Sequence, residues 1–338
     1  MTLYSNFFEQ GRKNVLWNGN FDVWPGGDVS PVSLTGATHS AICAVGFKSG
    51  AGEYTEEGSN ASKPNNDSAY VHKITVTTAE SSVDTGDYAG FLIRIEGYDF
   101  QAFVGKTATL SFWVRSSVTG TYTITFRNAV RDRTLLKEYT IDQADTWEYK
   151  TLTLKFDYIG GTWTYTNTNS LDVGWMMLAG ATYQTSTTDT WVSGNYLAST
   201  NQVNAGATIS NTFQVAQCQL ELGATASSFE KLPITLLQEM SQRYYFETYL
   251  YLNGTQVQTG TGNLYASWDF PSIMRSNPTI THPGSNRLWN GTWYDATGLT
   301  HSANSYRCLS IMTRSVTGYT VRTTCLMLMS QVIADARL

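Results

Sequence analysis

Apolar and polar residues alternate in short segments through the first two thirds of the chain. In residues 110–114 and 122–126, apolar side chains fall on one face and mostly hydroxyl side chains on the other, which is the two-residue period of a β-strand with one buried face. Residues 116–120 are expected to close these segments into a hairpin. The same alternation recurs at 91–95, 152–156 and 213–215. Short strands separated by Gly, Asn and Asp turns predict an all-β fold whose first domain is a jelly-roll β-sandwich.

One segment has helical spacing instead. Pro233 precedes Thr235, whose hydroxyl can cap the amide of Gln238 in the pattern of a helix N-terminus. The prediction is one short helix that begins near Leu236 and runs through Tyr245. Alternation then resumes in several segments, so a second, smaller β-sandwich domain should follow the helix. These later segments are 279–281, 310–312 and 319–321.

Composition agrees with this interpretation and narrows the possible partners. Charged residues make up 14% of the 338 residues and aromatic residues 13%, and the polar remainder is mostly Thr, Ser, Asn and Gly, as is typical of strands and turns. The net charge is −5 and the basic residues are scattered, so no nucleic-acid partner is expected. No run of about 18 apolar residues is present, which predicts a soluble protein made in the cytoplasm without membrane insertion.

Catalytic and metal-binding groups show no recognisable pattern. The four cysteines form no C-x-x-C pair and do not cluster with the four histidines, so no cofactor is expected. A glycosidase needs two facing carboxylates, and no G-x-S-x-G elbow offers a nucleophile instead. The sequence therefore predicts no enzyme activity, and a polysaccharide depolymerase is the less favoured alternative. Three acidic pairs lie in polar stretches where solvated turn residues are expected: Asp84 with Asp87, Asp142 with Asp145, and Glu56 with Glu57.

Aromatic residues flanked by small polar residues indicate a binding function. The apolar face of a sugar ring can stack on a flat aromatic side chain while its hydroxyls bond to nearby polar groups. Three segments combine these features. Their candidate carbohydrate-binding residues are Trp163, Tyr165, Trp191, Tyr196, Trp289, Trp293 and Tyr294.

Tryptophan also packs in sandwich cores and hairpins, so each candidate has an alternative. For Trp163 and Trp191 the two interpretations are balanced, and a subunit interface would explain Trp289 and Trp293 equally well. Core or hairpin packing is expected for three further tryptophans in or next to alternating strands: Trp113, Trp147 and Trp175.

Three separated segments resemble a known family. Residues 14–24, 107–116 and 219–233 occur in this order, and residues 242–245 follow the last of them. In these segments the chain resembles bacteriophage tail-fibre and related virion fibre proteins, whose distal domain is similar to the carbohydrate-binding jelly rolls of bacterial glycanases. The resemblance covers roughly residues 14–250.

The resemblance implies a set of contacts and partners. The first and last strands of the jelly roll should lie together, so that residues 18–24 meet residues 218–222. The protein should attach to other virion proteins, bind a bacterial surface polysaccharide and form a homo-oligomer, with a trimer favoured. Related sugar-binding jelly rolls hold a structural calcium near the position of Asp22, the only carboxylate in its segment. The alternative is a turn residue that caps backbone amides.

The expected domains are an N-terminal attachment peptide, a jelly roll similar to carbohydrate-binding modules, a linking helix and a C-terminal β domain. Their boundaries are 1–13, 14–230, 231–249 and 250–338. The favoured function is a receptor-binding fibre on the virion surface, in tail or head, that adheres to host carbohydrate. The alternative is a purely structural virion decoration protein with no glycan binding.

Overall fold

The computed structural model describes residues 11–156, 160–254, 264–281, 287–289, 293–295, 299–302, 308–313 and 326–338. The chain divides into two compact units, one formed by Met1–Ile234 with Leu338 and the other by Thr235–Arg337. The division falls within the segment 231–249 that the sequence assigns to a linking helix. Most of the expected attachment peptide, residues 1–10, lies outside the described residues. No helix in the described ranges is long and apolar enough to cross a membrane.

The first unit is a sandwich of two antiparallel sheets with one short helix, α1 (Gly97–Phe100). Its strands in chain order are β1 (Val32–Ser33), β2 (Ala37–His39), β3 (Ala44–Ser49), β4 (Glu53–Ser59), β5 (Val71–Thr78), β6 (Tyr88–Glu96), β7 (Thr107–Ser116), β8 (Gly120–Asn128), β9 (Arg133–Ile141), β10 (Glu148–Lys155), β11 (Asn169–Ala179), β12 (Gln184–Thr185), β13 (Val192–Ser193), β14 (Ala198–Ser199) and β15 (Thr212–Leu222).

Two sheets face each other across the core. Sheet A has the order β1-β4-β5-β15-β7-β10, and sheet B has the order β13-β9-β8-β11-β6-β3-β2. The short strands β12 and β14 form a separate parallel pair. The prediction of an all-β jelly-roll sandwich is confirmed.

Aromatic side chains fill the space between the sheets. Trp175 is fully buried and stacks on Phe91, with ring centroids 5.0 Å apart and planes within 1°. Phe112 from sheet A meets the same indole edge-on at 5.7 Å. Because large rings remove much apolar surface from water, this cluster supplies a large share of the stabilisation of the sandwich. Trp175 therefore lies in the core, as predicted.

The hairpin expected at residues 116–120 is not present. Strand β7 pairs with β10 and β15 in sheet A, whereas β8 pairs with β9 and β11 in sheet B. The link therefore crosses from one layer to the other, and the hydroxyls of Ser116 and Tyr122 meet at 2.9 Å across it. Two consecutive strands can bury their apolar faces either as neighbours in one sheet or in two sheets whose inner faces pack together. Strands β7 and β8 lie in different sheets.

The segment after residue 13 lies against β15, and the contact of residues 18–24 with 218–222 that the resemblance implied is present at Gly19. Residues 14–24 form no strand, however, and the first strand, β1, pairs with β4 instead. Asn14 donates its side-chain N–H to the Cys218 carbonyl at 2.9 Å, and its side-chain oxygen accepts the Leu220 N–H at 3.0 Å. The Cys218 N–H in turn donates to the Gly19 carbonyl at 2.8 Å. A Cβ atom at Gly19 would lie 2.0 Å from the Cys218 carbonyl oxygen, so this close approach of two backbones requires glycine.

Helix α2 (Ile234–Ser241) leads into the second unit, which contains two further sheets. Its strands in the described ranges are β16 (Tyr245–Gly254), β17 (Leu264–Asp269), β18 (Thr279–Thr281), β19 (Arg287–Trp289), β20 (Trp293–Asp295), β21 (Leu299–Ser302), β22 (Cys308–Thr313) and β23 (Leu326–Asp335). One sheet has the order β16-β23-β19-β20 with β18 also on β23, and the other has the order β17-β22-β21. The predicted segments 279–281 and 310–312 lie in β18 and β22, whereas 319–321 lies outside the described residues.

Helix α2 is shorter than predicted. It ends at Ser241, and Tyr245 already belongs to β16, opposite Asp335 of β23. The carbonyl of Tyr244 accepts the Ala336 N–H at 2.8 Å. The backbone groups at Tyr244 and Tyr245 therefore pair with strand β23 instead of forming helical hydrogen bonds. The helical spacing of side chains in the sequence does not reveal this strand partner.

Candidate functional site

Two of the predicted sugar-binding tryptophans pack against the core of the first unit. Trp163 stacks on Phe100 at 4.8 Å and meets Trp191 edge-on at 5.7 Å. Trp191 also tilts against Phe156 at 6.1 Å. Both indoles are half-buried and join the rim of the core cluster. The structure therefore brings Trp163 and Trp191 together, but much of the surface of each ring is packed against the core.

Trp191 nevertheless lines a cleft at one edge of the sandwich. Its indole N–H donates to the Lys155 carbonyl at 2.8 Å, which fixes the ring next to β10. The cleft has a volume of about 650 Å³ and lies between β9 of sheet B and β10, the edge strand of sheet A. This edge cleft is lined by Thr107, Arg133, Leu135, Lys137, Thr153, Leu154, Lys155, Phe156, Asp189, Thr190 and Trp191.

The remaining candidates lie apart from this cleft. Tyr165 is 39% exposed. Tyr196 is half-buried, and its carbonyl accepts the Thr125 hydroxyl of β8 at 3.0 Å, so that its segment covers the outer face of sheet B. In the second unit Trp289 lies opposite Trp293 in the β19-β20 pair. The side chains of Trp289, Trp293 and Tyr294 lie outside the described part of the chain.

An aromatic pair that the sequence interpretation missed lies on the outer face of sheet A. Phe112 and Val114 point into the core, so Trp113 between them points outward, where it is half-buried. It lies opposite Tyr149 of β10, with ring centroids 5.3 Å apart and planes at 50°. Tyr149 is 44% exposed. Because β7 pairs with no strand that is its neighbour in the chain, Trp113 lies neither in the core nor in a hairpin, and the expectation of core or hairpin packing for it is wrong.

Trp147 extends this surface. It lies one residue before β10, is half-buried outside the core cluster, and donates its indole N–H to the Ser62 hydroxyl at 3.2 Å. Asn65 of the same loop bonds to Gln217 of β15 at 3.2 Å, so the loop lies along the outer side of sheet A. Trp113, Trp147 and Tyr149 are called the aromatic platform below.

Polar groups border the aromatic platform. Arg115 follows Trp113 by two positions on the same face and pairs with Asp145 at 3.2 Å. Thr151 is exposed and follows Tyr149 by two positions, so that it lies on the same face of β10. A sequence signal for this site does exist, because the outward positions of β7 are hydroxyl or charged residues except at Trp113. An aromatic residue in an otherwise polar outward row is a reason to expect a binding surface.

Asp22 caps backbone N–H groups, which was the alternative to binding calcium. One carboxylate oxygen accepts the backbone N–H groups of Ala69 at 2.6 Å and Tyr70 at 3.2 Å, and the other accepts the Asn20 amide at 2.6 Å. Burial raises the pKa of Asp22, and the two backbone hydrogen bonds oppose that rise. Across the described ranges no three His, Cys, Asp or Glu side chains are grouped to hold a metal.

Three polar residues inside the core have the composition of a hydrolytic triad but not its geometry. His72 Nε2 lies 2.9 Å from a Glu56 oxygen and 3.2 Å from the Ser40 hydroxyl. A triad needs the acid and the hydroxyl on opposite ring nitrogens, and it needs access for substrate. Glu56 and His72 are both fully buried, so the group is structural.

The acidic pairs noted in the sequence are held apart from any common site. Asp84 and Asp87 form a turn in which the Asp84 N–H donates to the Asp87 carboxylate at 2.9 Å. Glu57 pairs with Lys73 at 2.6 Å. The expectation that Glu56 is a solvated turn residue is wrong, because β4 turns its side chain into the core.

Comparison with known proteins gives similarities in fold only. No protein-family model and no curated protein sequence matches the chain. A family 4 carbohydrate-binding module is 12% identical, with 62% of this chain and 99% of that chain covered and a TM-score of 0.31. A family 11 module from Clostridium thermocellum in complex with a β-1,3-1,4-mixed-linked tetrasaccharide is 12% identical, with 59% and 99% covered and a TM-score of 0.31.

A phage protein has a similarity of the same size. The enzymatically active domain of tailspike protein 4 from bacteriophage CBA120 is 13% identical, with 62% of this chain and 21% of that chain covered and a TM-score of 0.31. Similarities at this level of identity and TM-score do not identify what this chain binds or where it acts.

Proposed function

We propose that this protein is a glycan-binding adhesin and that the aromatic platform is its sugar-contacting surface. The observation that carries the proposal is the outward-facing pair Trp113 and Tyr149, whose rings lie 5.3 Å apart on the outer side of sheet A. Such rings expose flat apolar surface beside polar groups, which is the combination that a pyranose ring requires.

Strands β7 and β10 fix the rings of the aromatic platform in place before a ligand binds. Trp113 lies between two hydrogen-bonded neighbours, opposite Tyr149 on one side and Ala216 of β15 on the other. A ring whose backbone is fixed on both sides loses little conformational freedom when a ligand stacks on it. Arg115 and Thr151 border the rings and supply hydrogen-bond donors for sugar hydroxyls.

The proposed biological setting is the surface of a bacteriophage-type virion, in tail or head. The support is the sequence resemblance of residues 14–24, 107–116 and 219–233 to fibre proteins. In this proposal the ligand is a polysaccharide of the bacterial surface, and a homotrimer bound to other virion proteins presents several shallow sites at once. Multiple copies convert weak single contacts into stable attachment.

The proposal includes no catalytic step. Among the described residues the acidic pairs lie in turns or ion pairs, and the Ser40–His72–Glu56 group is buried without triad geometry. A depolymerase would release reducing ends from the polysaccharide that it binds. The proposed adhesin releases none in an assay sensitive to single turnovers.

The experiment that tests the proposal is glycan-array binding by the full-length protein and by two platform variants. Trp113→Ala and Tyr149→Ala each remove one ring and should weaken binding about tenfold, since stacking and packing on one aromatic residue contribute about 1–2 kcal/mol. Tyr98→Ala is the matched control, because Tyr98 is 39% exposed, close to the 44% of Tyr149, but lies on the α1 segment. Binding that all three variants retain equally would exclude the platform as the sugar site.

The same exposed rings suit a contact between subunits, which is the structural alternative. Mass measurement of each variant separates the two functions. If Tyr149→Ala converts the assembly to monomers and the parent binds no glycan, the protein is a structural virion component. If the variant keeps the parent mass and loses glycan binding, the adhesin proposal is supported.

A further inference from the structure

Strand β15 carries three buried glutamines that differ in their hydrogen bonds. Gln214, Gln217 and Gln219 are each 3% exposed or less. The Gln219 amide donates to the Glu221 carboxylate at 2.9 Å, and the Gln217 side-chain oxygen accepts the Asn65 amide at 3.2 Å. The Gln214 side chain has no hydrogen-bond partner among the described residues. Because most buried side-chain amides are paired, this one requires an explanation.

The position of Gln214 shows where its amide points. Phe213 and Val215 point into the core, so Gln214 between them lies on the outer face of sheet A. The amide itself reaches the surface, since none of its atoms is enclosed without a partner, although the residue as a whole is buried. A side chain that is covered by its neighbours and open at its amide holds one acceptor and one donor group in a fixed place.

The cross-strand neighbours of Gln214 belong to two ion pairs. Lys73 on β5 and Arg115 on β7 lie directly opposite Gln214, one on each side. Lys73 bonds to Glu57 at 2.6 Å, and Arg115 pairs with Asp145 at 3.2 Å. Each of these cations therefore already has a carboxylate partner. The group between them that is left to bind a ligand is the neutral amide.

Gln214 adjoins the aromatic platform. Trp113 lies opposite Ala216, two positions along the same face from Gln214, so Trp113 and Gln214 are diagonal neighbours with Cα atoms about 7–8 Å apart. The Trp113 indole N–H and the Tyr149 hydroxyl also lack a hydrogen-bond partner within the described ranges. The indole N–H of Trp147, by contrast, is paired. Neighbouring strands β10, β7 and β15 thus each present one unpaired polar group on the outer face of sheet A.

A contact between subunits is the other way to pair these groups. The centre of a protein interface is usually depleted of charged residues, whereas Gln214 lies between Lys73 and Arg115. A sugar suits this surrounding better, because the amide can accept from one ring hydroxyl and donate to the next. The aromatic platform beside the amide supplies the apolar contact that the same ring needs.

We propose that Gln214 determines which sugar the aromatic platform accepts, by bonding through its amide to two adjacent hydroxyls of a neutral hexopyranose. This role rests on the proposed glycan-binding function and names the ligand class of that site. Trp113 and Tyr149 contribute affinity through contacts that any pyranose ring can make. Gln214 contributes selectivity, because a hydroxyl in the wrong configuration leaves the amide unpaired in the complex.

The test is calorimetric titration of the full-length protein with cellohexaose, β-1,4-mannohexaose and β-1,4-galactohexaose, neutral chains whose sugar units differ from glucose at no more than one carbon. The parent should bind one chain at least tenfold more tightly than another, and added salt should not change the affinity. Gln214→Met removes the amide from an unbranched side chain of similar length and should reduce the ratio to threefold or less. Trp113→Ala should weaken binding of every chain and leave the ratio unchanged.

The controls separate selectivity from folding. Gln219→Met removes an equally buried amide that has partners, so it should lower Tm and leave the ratio unchanged. Gln214→Met breaks no hydrogen bond within the described residues and should keep the Tm of the parent. Gln214→Glu keeps the shape of the side chain but cannot donate to a hydroxyl when ionised. It should also reduce the ratio, and it decides the question if the methionine variant is less stable.

Three results refute this role of Gln214 while the adhesin proposal stands. They are equal affinity of the parent for the three chains, binding to other glycans but to none of the three, and a tenfold preference that survives both Gln214→Met and Gln214→Glu. Failure to bind any glycan on a broad array refutes the adhesin proposal itself.

Discussion

The buried contact between Glu56 and His72 offers the sharpest test of how the core is stabilised. Both side chains have no exposed surface, and His72 lies between aromatic rings, 4.2 Å from Phe91 and 6.3 Å from Trp24 by ring centroids. The second oxygen of Glu56 and His72 Nδ1 have no hydrogen-bond partner among the described residues. Gly46 makes room for the carboxylate, since a Cβ atom there would lie 1.3 Å from that oxygen.

Removing one partner leaves the other polar group buried without its main contact. Glu56→Leu or His72→Phe alone should therefore lower the free energy of unfolding by about 3–5 kcal/mol, the usual cost of breaking a buried pair. Changing both residues together replaces the pair by apolar groups of similar size. The double variant should then be within about 1 kcal/mol of the parent or more stable, because the desolvation penalty of both groups disappears.

The assay must report on the first unit alone, since the two units can unfold separately. Hydrogen exchange of peptides from β5 and β6, measured by mass spectrometry over a urea series, gives the local free energy of unfolding. A double-mutant cycle then yields the coupling energy. The reasoning is refuted if each single variant costs less than about 1 kcal/mol, or if the double variant costs the sum of the two.

Three further outcomes follow from contacts in the first unit. Asn14→Ala removes the bonds to Cys218 and Leu220 and should cost about 2 kcal/mol in urea unfolding, with Asn211→Ala as a comparison that removes the side-chain bond to the Ala205 carbonyl. Gly19→Ala should lower Tm by at least 5 °C in calorimetry, since its Cβ would meet the Cys218 carbonyl at 2.0 Å; an unchanged Tm would contradict the close approach. The raised pKa of Asp22, caused first by burial, favours its neutral form in the folded state. Its contribution to stability is therefore greatest below the unfolded pKa of 3.8 and declines as pH rises through the higher folded pKa, so Asp22→Asn should reduce the fall in Tm that accompanies a rise in pH above 3.8; a parallel shift at all pH values would contradict this.

The alternation of side chains determined the fold class and much of the core. Residues 110–114 and 122–126 were recognisable as strands because apolar side chains at every second position can be buried only on one face of a strand. The same reasoning correctly assigned Trp175 to the interior. The helix was also detectable from the helical spacing of Leu236 and Leu237, but it begins at Ile234, so Thr235 lies inside the helix and the predicted cap at Thr235 is wrong. Whether Trp289, Trp293 and Tyr294 contact sugar stays a prediction.

Contacts between distant residues decided what the local pattern left open. Alternation specifies which face of β7 and β8 is apolar but not the partner of either strand, so their separation into two sheets depended on packing across the core. The partner strands also decided which residues form the candidate site. Trp113 is part of the aromatic platform because Tyr149 lies opposite it. Glu56 is buried because β4 turns its side chain toward His72. The sequence by itself determined that this chain forms β-sandwiches rich in aromatic residues. Only the tertiary structure decided which rings face outward and which polar groups lie beside them, because those positions depend on residues far apart in the chain.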